Sequence, residues 1–86
     1  MNYLKILTND NFKVLSCLYN NKDKQNIIKL TQSEVAEIVG VSRATINIIF
    51  KLLKQENLIK YTNHVGRYEI TSQGIKAIEL FKKINK

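Results

Sequence analysis

Within ten residues, Ser42, Arg43, Thr45, Asn47 and Lys51 gather two hydroxyls, a guanidinium, a carboxamide and an ammonium group. Groups of this kind donate hydrogen bonds to phosphate oxygens and pair with the edges of bases. Arg43 has the widest reach: it could pair bidentately with a guanine edge or clamp a phosphate, and residue type does not separate the two. Gln32 and Ser33 upstream could hold a nucleic-acid backbone, and Lys60, Asn63, His64 and Arg67 downstream could track a phosphate strand or enter a minor groove. Catalysis has little to work with. Cys17 and His64 are each the sole residue of their type, and with three glycines and no proline there is no glycine-rich phosphate cradle. No catalytic group, metal or cofactor is therefore expected. Cys17, among Phe12, Val14, Leu15 and Leu18, reads as a buried thiol rather than a nucleophile, and His64 as a loop residue, solvated or touching phosphate.

The elements that must position these side chains can be read locally. Thr31 with Glu34 three places on forms a capping box, which starts a helix. Val35, Ala36, Ile38 and Val39 recur at helical spacing and predict one buried face. Gly40 supplies the left-handed residue that ends the helix, and Ser42 caps the next one. A link of about three residues forces a steep crossing that leaves the start of the second helix protruding. Ala36 is small enough to sit at such a crossing. In the second helix Ile46, Ile49, Phe50 and Leu53 make the core stripe.

Beyond it, residues 58–62 and 67–70 alternate in polarity around Asn63-His64-Val65-Gly66, which predicts a hairpin. In that register Ile59 faces Ile70, Lys60 faces Glu69 and Tyr61 faces Tyr68, so every cross-strand pair is favourable. Lys60 is then as easily a partner of Glu69 as a phosphate ligand. Thr71 caps a last helix with Ile75, Ile78, Phe81 and Ile84 as its stripe. A first helix over residues 9–20, a polar connector and a short strand at Ile27-Ile28-Lys29-Leu30 that could join the hairpin complete the chain. The expected fold is mainly α with a small β-sheet, in the order α-β-α-α-β-β-α.

Residues 31–70 resemble the winged helix-turn-helix of MarR-type bacterial DNA-binding proteins, in which a phrase like Val41-Ser42-Arg43-Ala44-Thr45 opens the recognition helix. The resemblance implies that this helix enters the groove of double-stranded DNA while the hairpin serves as the wing. Winged helices also serve as protein-interaction modules, which would show weak, sequence-blind affinity for DNA.

Composition agrees with a polyanion partner. The 86 residues carry 14 Lys and Arg against 7 Asp and Glu, a formal charge of +7. A lysine-rich surface also keeps small proteins soluble, and twelve Ile, twelve Lys and ten Asn fit low-GC coding bias. At this length a single domain over residues 1–86 is expected. No apolar run reaches the ~20 residues of a membrane span, and the start lacks the regions of a signal peptide. A cytoplasmic location without membrane contact is the expectation. Phe81-Lys82-Lys83-Ile84-Asn85-Lys86 is the one weak candidate for a membrane-surface helix.

One feature departs from the MarR pattern. Ile48 and Leu52 lie off the core stripe of the recognition helix and form an i, i+4 apolar ridge where MarR-type helices commonly carry basic or polar side chains. A second copy of the same helix across a two-fold axis would cover it, giving a homodimer. That arrangement resembles TubR, the adaptor of tubulin-type plasmid and phage partition systems, which implies centromere binding, repression of its own operon and a filament-forming NTPase as a further partner. Otherwise the ridge packs on Tyr3-Leu4-Lys5-Ile6-Leu7 of the same chain, or Ile48 touches a thymine methyl. A small MarR-like transcriptional repressor is the competing use of the same DNA-binding unit.

Overall fold

The computed structural model describes residues 9–62 and 67–84. Among these described residues, four helices and three short strands follow in the expected order: α1 (Asn9–Asn21), β1 (Ile27–Ile28), α2 (Gln32–Val39), α3 (Arg43–Gln55), β2 (Ile59–Tyr61), β3 (Tyr68–Ile70) and α4 (Ser72–Ile84). The loop 63–66, with Asn63 and His64, and the segment 3–7 lie outside the described residues.

The helix ends form as the sequence dictates. Thr31 and Glu34 make both halves of the capping box: the Glu34 amide donates to Thr31 Oγ1 at 3.1 Å and the Thr31 amide donates to Glu34 Oε1 at 2.8 Å. Gly40 stops α2 with φ 86°, a conformation that costs a residue with a Cβ but not glycine. The end of α3 carries a device that sequence reading overlooks. Asn57 sits in the left-handed region at φ 61°, its amide donates to the Lys54 carbonyl, and the Leu58 amide donates to the Leu53 carbonyl. This is a Schellman closure with Asn in place of Gly. The signal was an Asn followed directly by an apolar residue, for Leu53 and Leu58 are both fully buried.

The sheet has the order β1-β3-β2, all antiparallel. The hairpin register is the expected one, with Ile59 opposite Ile70, Lys60 opposite Glu69 and Tyr61 opposite Tyr68. The third strand also joins as expected, Ile28 pairing with Tyr68, although β1, β2 and β3 are each shorter than the segments 27–30, 58–62 and 67–70 that the sequence predicts for them. Ahead of β1, Asp23 Oδ1 accepts from the Gln25 and Ile27 amides at 2.8 and 3.0 Å. Chiefly the Ile27 hydrogen bond, against a smaller desolvation effect, holds the Asp23 carboxyl below its ordinary value. A depressed folded-state value means this contribution to stability is in place above the unfolded value of about 3.9 and is lost as pH falls through the lowered one.

The core lies between the helices and one face of the sheet. Val14, Leu15 and Leu18 of α1, Ile46, Ile49, Phe50 and Leu53 of α3, and Ile28, Ile59 and Ile70 of the sheet are buried within it. The α3 stripe is the one predicted from spacing. Two other stripes need correction. In α2, Val35 and Ala36 are buried and Val39 partly so, whereas Ile38 is 60% exposed. It lies about 100° around the helix from the centre of those three, beyond the arc that α1 and α3 cover. In α4, Ala77 and Ile78 are buried, Ile75 and Phe81 only partly, and the Ile84 side chain lies outside those described. Phe81 instead stacks on Phe12 of α1 with ring centroids 3.9 Å apart. A close approach fixes the start of α4: a Cβ on Gly74 would collide with the Leu58 carbonyl oxygen, so only glycine lets α4 lie this near the end of α3.

Candidate nucleic-acid interface

Helix α3 presents to solvent most of the residues expected on its outer side, with Thr45 and Leu52 half-buried instead. Arg43, Asn47, Ile48 and Lys51 are exposed, together with Ala44. The opposite side is sealed by Ile46, Ile49, Phe50 and Leu53, so burial of one stripe fixes which side chains point outward. Among the described residues no carboxylate pairs with Arg43 or Lys51.

Ser42 and Thr45 play a more local part than expected. The Thr45 amide donates to Ser42 Oγ at 3.1 Å, and the Ser42 hydroxyl donates to Thr45 Oγ1 at 2.9 Å. The Ser42 proton is therefore committed to the cap, and Thr45 is half-buried. Their contribution is to hold the first turn of α3, and with it Arg43, in place. At the start of α2, Ser33 is exposed and Gln32 half-buried.

The wing stands beside the far end of α3. Tyr61 of β2 takes the Lys54 ammonium over its ring at 4.4 Å, and its own ring meets Tyr68 edge-on at 5.3 Å. Desolvation, and after it Tyr68, raise the Tyr61 phenol above its ordinary value. This Lys54-Tyr61-Tyr68 chain ties helix to hairpin, a link that neither segment's spacing reveals. Lys60 reaches Glu69 at 3.6 Å across the ladder, so its cross-strand pairing is realised, yet the lysine side chain is still 60% exposed. An ion pair this open to water is worth little and yields readily to another anion. Arg67 is exposed at the mouth of the hairpin, where its carbonyl accepts from the Thr62 amide and hydroxyl.

Helix α3 and the wing thus carry five exposed cationic side chains, Arg43, Lys51, Lys54, Lys60 and Arg67, with Glu69 the one acid in the wing strands, whereas the exposed acids described, Asp10, Glu34, Glu37 and Glu79, sit on α1, α2 and α4. Such an arrangement can bind a polyanion along one side and discriminate hydrogen-bonding edges at its centre.

The sequence profile of the Crp-like helix-turn-helix domain matches residues 12–74. The chain belongs to this family. Several solved structures share the fold of this Crp-like helix-turn-helix domain. MepR of Staphylococcus aureus, a transcription regulator of the multidrug efflux pump MepA, is 29% identical with a TM-score of 0.71, over 90% of this chain and 56% of its own. A MepR variant bound to an oligodeoxyribonucleotide is 26% identical with a TM-score of 0.74, over 95% of this chain and 62% of its own. The Mycobacterium tuberculosis transcriptional regulator MosR is 25% identical with a TM-score of 0.74, over 96% and 65%. MepR and MosR are MarR-family winged-helix regulators. This chain spans between about half and two thirds of their length. No curated protein matches this chain in sequence.

Cys17 is a free, buried thiol whose ionisation is pushed up by burial, with the Asn21 carboxamide pulling the other way. It lines a shallow hollow of about 400 Å³ between α1 and α2, with Phe12, Ile38 and Val39 among its neighbours. Among the described residues no three His, Cys, Asp or Glu side chains gather around a metal-sized space, and no helix is long and apolar enough to cross a membrane.

Proposed function

We propose that this chain is a site-specific double-stranded DNA-binding protein, a small MarR-like transcriptional regulator without catalytic activity. The observation that carries the reading is the exposed row Arg43, Asn47 and Lys51 on a helix whose other side is sealed into the core, with the cationic wing beside it. An α-helix with side chains is about 10–12 Å across, which matches a major groove about 12 Å wide. In this reading the first turns of α3 meet base edges. Lys51 and the opening of α2, with Gln32 and Ser33, hold phosphates. Lys60 and Arg67, joined by Asn63 and His64, follow the backbone or the neighbouring minor groove. The likeness to a MepR variant bound to an oligodeoxyribonucleotide supports it.

Arg43→Ala is the direct test, read by fluorescence anisotropy against a target selected from random duplexes and against unrelated duplex. If Arg43 pairs with a guanine, the selected target loses about 1–3 kcal/mol and preference at one position relaxes; if it clamps phosphate, all duplexes lose affinity alike. Wild-type affinity in the variant would remove Arg43 from the interface. Weak, sequence-blind binding by the wild type would instead favour a protein-interaction module.

A second reading has one observation in its favour, the 68% exposure of Ile48 on α3. Two copies joined through Ile48 and Leu52 would place their helix starts side by side, as a centromere-binding partition adaptor working with a filament-forming NTPase would use them. On that reading Ile48→Lys converts a homodimer to a monomer by light scattering, and footprints cover tandem repeats rather than one operator. A mass unchanged by the substitution excludes the shared-helix dimer.

A further inference from the structure

Of the large apolar side chains described, Ile48 is the most exposed, at 68%, ahead of Ile38, Leu80 and Tyr61. It stands at the centre of the outward side of α3, with Ala44 one turn before it, Asn47 beside it and Lys51 one turn after, all exposed. A lone surface isoleucine needs no explanation. An isoleucine at the middle of the very surface that meets DNA does, because it displaces a polar contact there.

We infer that Ile48, together with Ala44, reads thymine C5-methyl groups, so that the domain selects A·T pairs under the centre of α3. The inference rests on the reading of α3 as the groove-entering helix. The thymine methyl is the apolar feature that a natural base pair presents in the major groove, and an aliphatic side chain is its complement. Asn47 agrees with the same base pair, since a carboxamide can both accept from adenine N6 and donate to N7. Three neighbouring outward side chains therefore suit A·T pairs. Arg43 is left for a guanine or a phosphate, and Lys51 for a phosphate.

The local surroundings of Ile48 weigh against a second copy as its cover. Leu52 is half-buried, so the expected ridge reduces to one fully presented apolar side chain. A stable interface needs about 1,000 Å² or more with a well-packed centre, which a single isoleucine and an alanine do not supply. A two-fold axis through Ile48 would also bring the two Lys51 ammonium groups toward each other, and like charges repel. DNA takes up both features at once, the methyl against Ile48 and the phosphate against Lys51.

The test uses defined duplexes that differ by the methyl alone, alternating poly(dA-dT) and alternating poly(dA-dU), with the full chain and anisotropy at low salt. Loss of one buried methyl should weaken wild-type binding about fourfold, and loss of two correspondingly more. In Ile48→Ala, whose side chain supports no part of the core, the ratio between the two duplexes should fall toward one. Equal wild-type affinity for both duplexes overturns the inference while leaving DNA binding intact. An undiminished methyl effect in Ile48→Ala overturns it too, since the methyl would then be read elsewhere. A drop in molecular mass by light scattering in Ile48→Ala assigns the side chain to a second copy and likewise overturns it. Binding to neither duplex, nor to selected targets, would instead defeat the proposed function itself.

Discussion

Replacing Phe50 by alanine is expected to cost the fold about 3–5 kcal/mol, because a fully buried aromatic side chain is removed and the space it leaves closes only in part. Phe50 is 0% exposed on the inner side of α3 and meets Tyr68 edge-on with ring centroids 4.8 Å apart. It therefore joins the helix that presents Arg43 to the strand that builds the wing. Small domains hold only about 5–15 kcal/mol in all, so this one substitution consumes a large share. At roughly 4–8 °C per kcal/mol for a domain of this size, the melting temperature falls by tens of degrees. Urea denaturation followed by circular dichroism measures the loss directly. A midpoint close to that of the wild type would mean that α3 is not anchored as described. Since Phe50 faces away from the outward row, DNA affinity per folded molecule should survive where the variant remains folded, and the loss of binding should track the unfolded fraction.

DNA affinity should fall about 150-fold per protomer between roughly 50 and 200 mM monovalent salt if Arg43, Lys51, Lys60 and Arg67 each displace one counterion, a log–log slope near −3.6. Lys54 is left out because its ammonium already lies over the Tyr61 ring. Lys60 counts in spite of Glu69, for a pair this exposed to water competes weakly with a phosphate. Two protomers on one site would double the slope. Lys51→Gln and Arg67→Gln should each reduce it by about one. Salt-independent binding would show that the cationic row does not face the duplex, whatever the affinity at one salt concentration.

The two experiments probe different links of the same chain of causes. Core packing decides which side of α3 is available, and charge decides what the available side attracts. A variant can fail in one and not the other. Phe50→Ala changes how many molecules present the surface, whereas changes in the cationic row alter what each folded molecule binds.

Local interactions were legible because they span few residues. The Thr31-Glu34 box, the left-handed Gly40, the Ser42 cap, the α3 stripe and the hairpin register all depend on contacts within a turn or across one short loop. Residue type and spacing suffice for those, and the order of elements follows from them. What α2 buries was not legible, since four apolar residues surround more of a short helix than two neighbours can cover. Only the placement of α1 and α3 left Ile38 outside. Likewise Lys54 over Tyr61, Gly74 against the Leu58 carbonyl and the part-burial of Leu52 join segments whose approach no local pattern encodes. Spacing along the chain thus determined which helix would carry Arg43, Asn47 and Ile48 outward. Tertiary packing decided that Leu52 would turn partly away and leave Ile48 standing alone, because burial is settled by which surfaces meet and not by the period of a single helix.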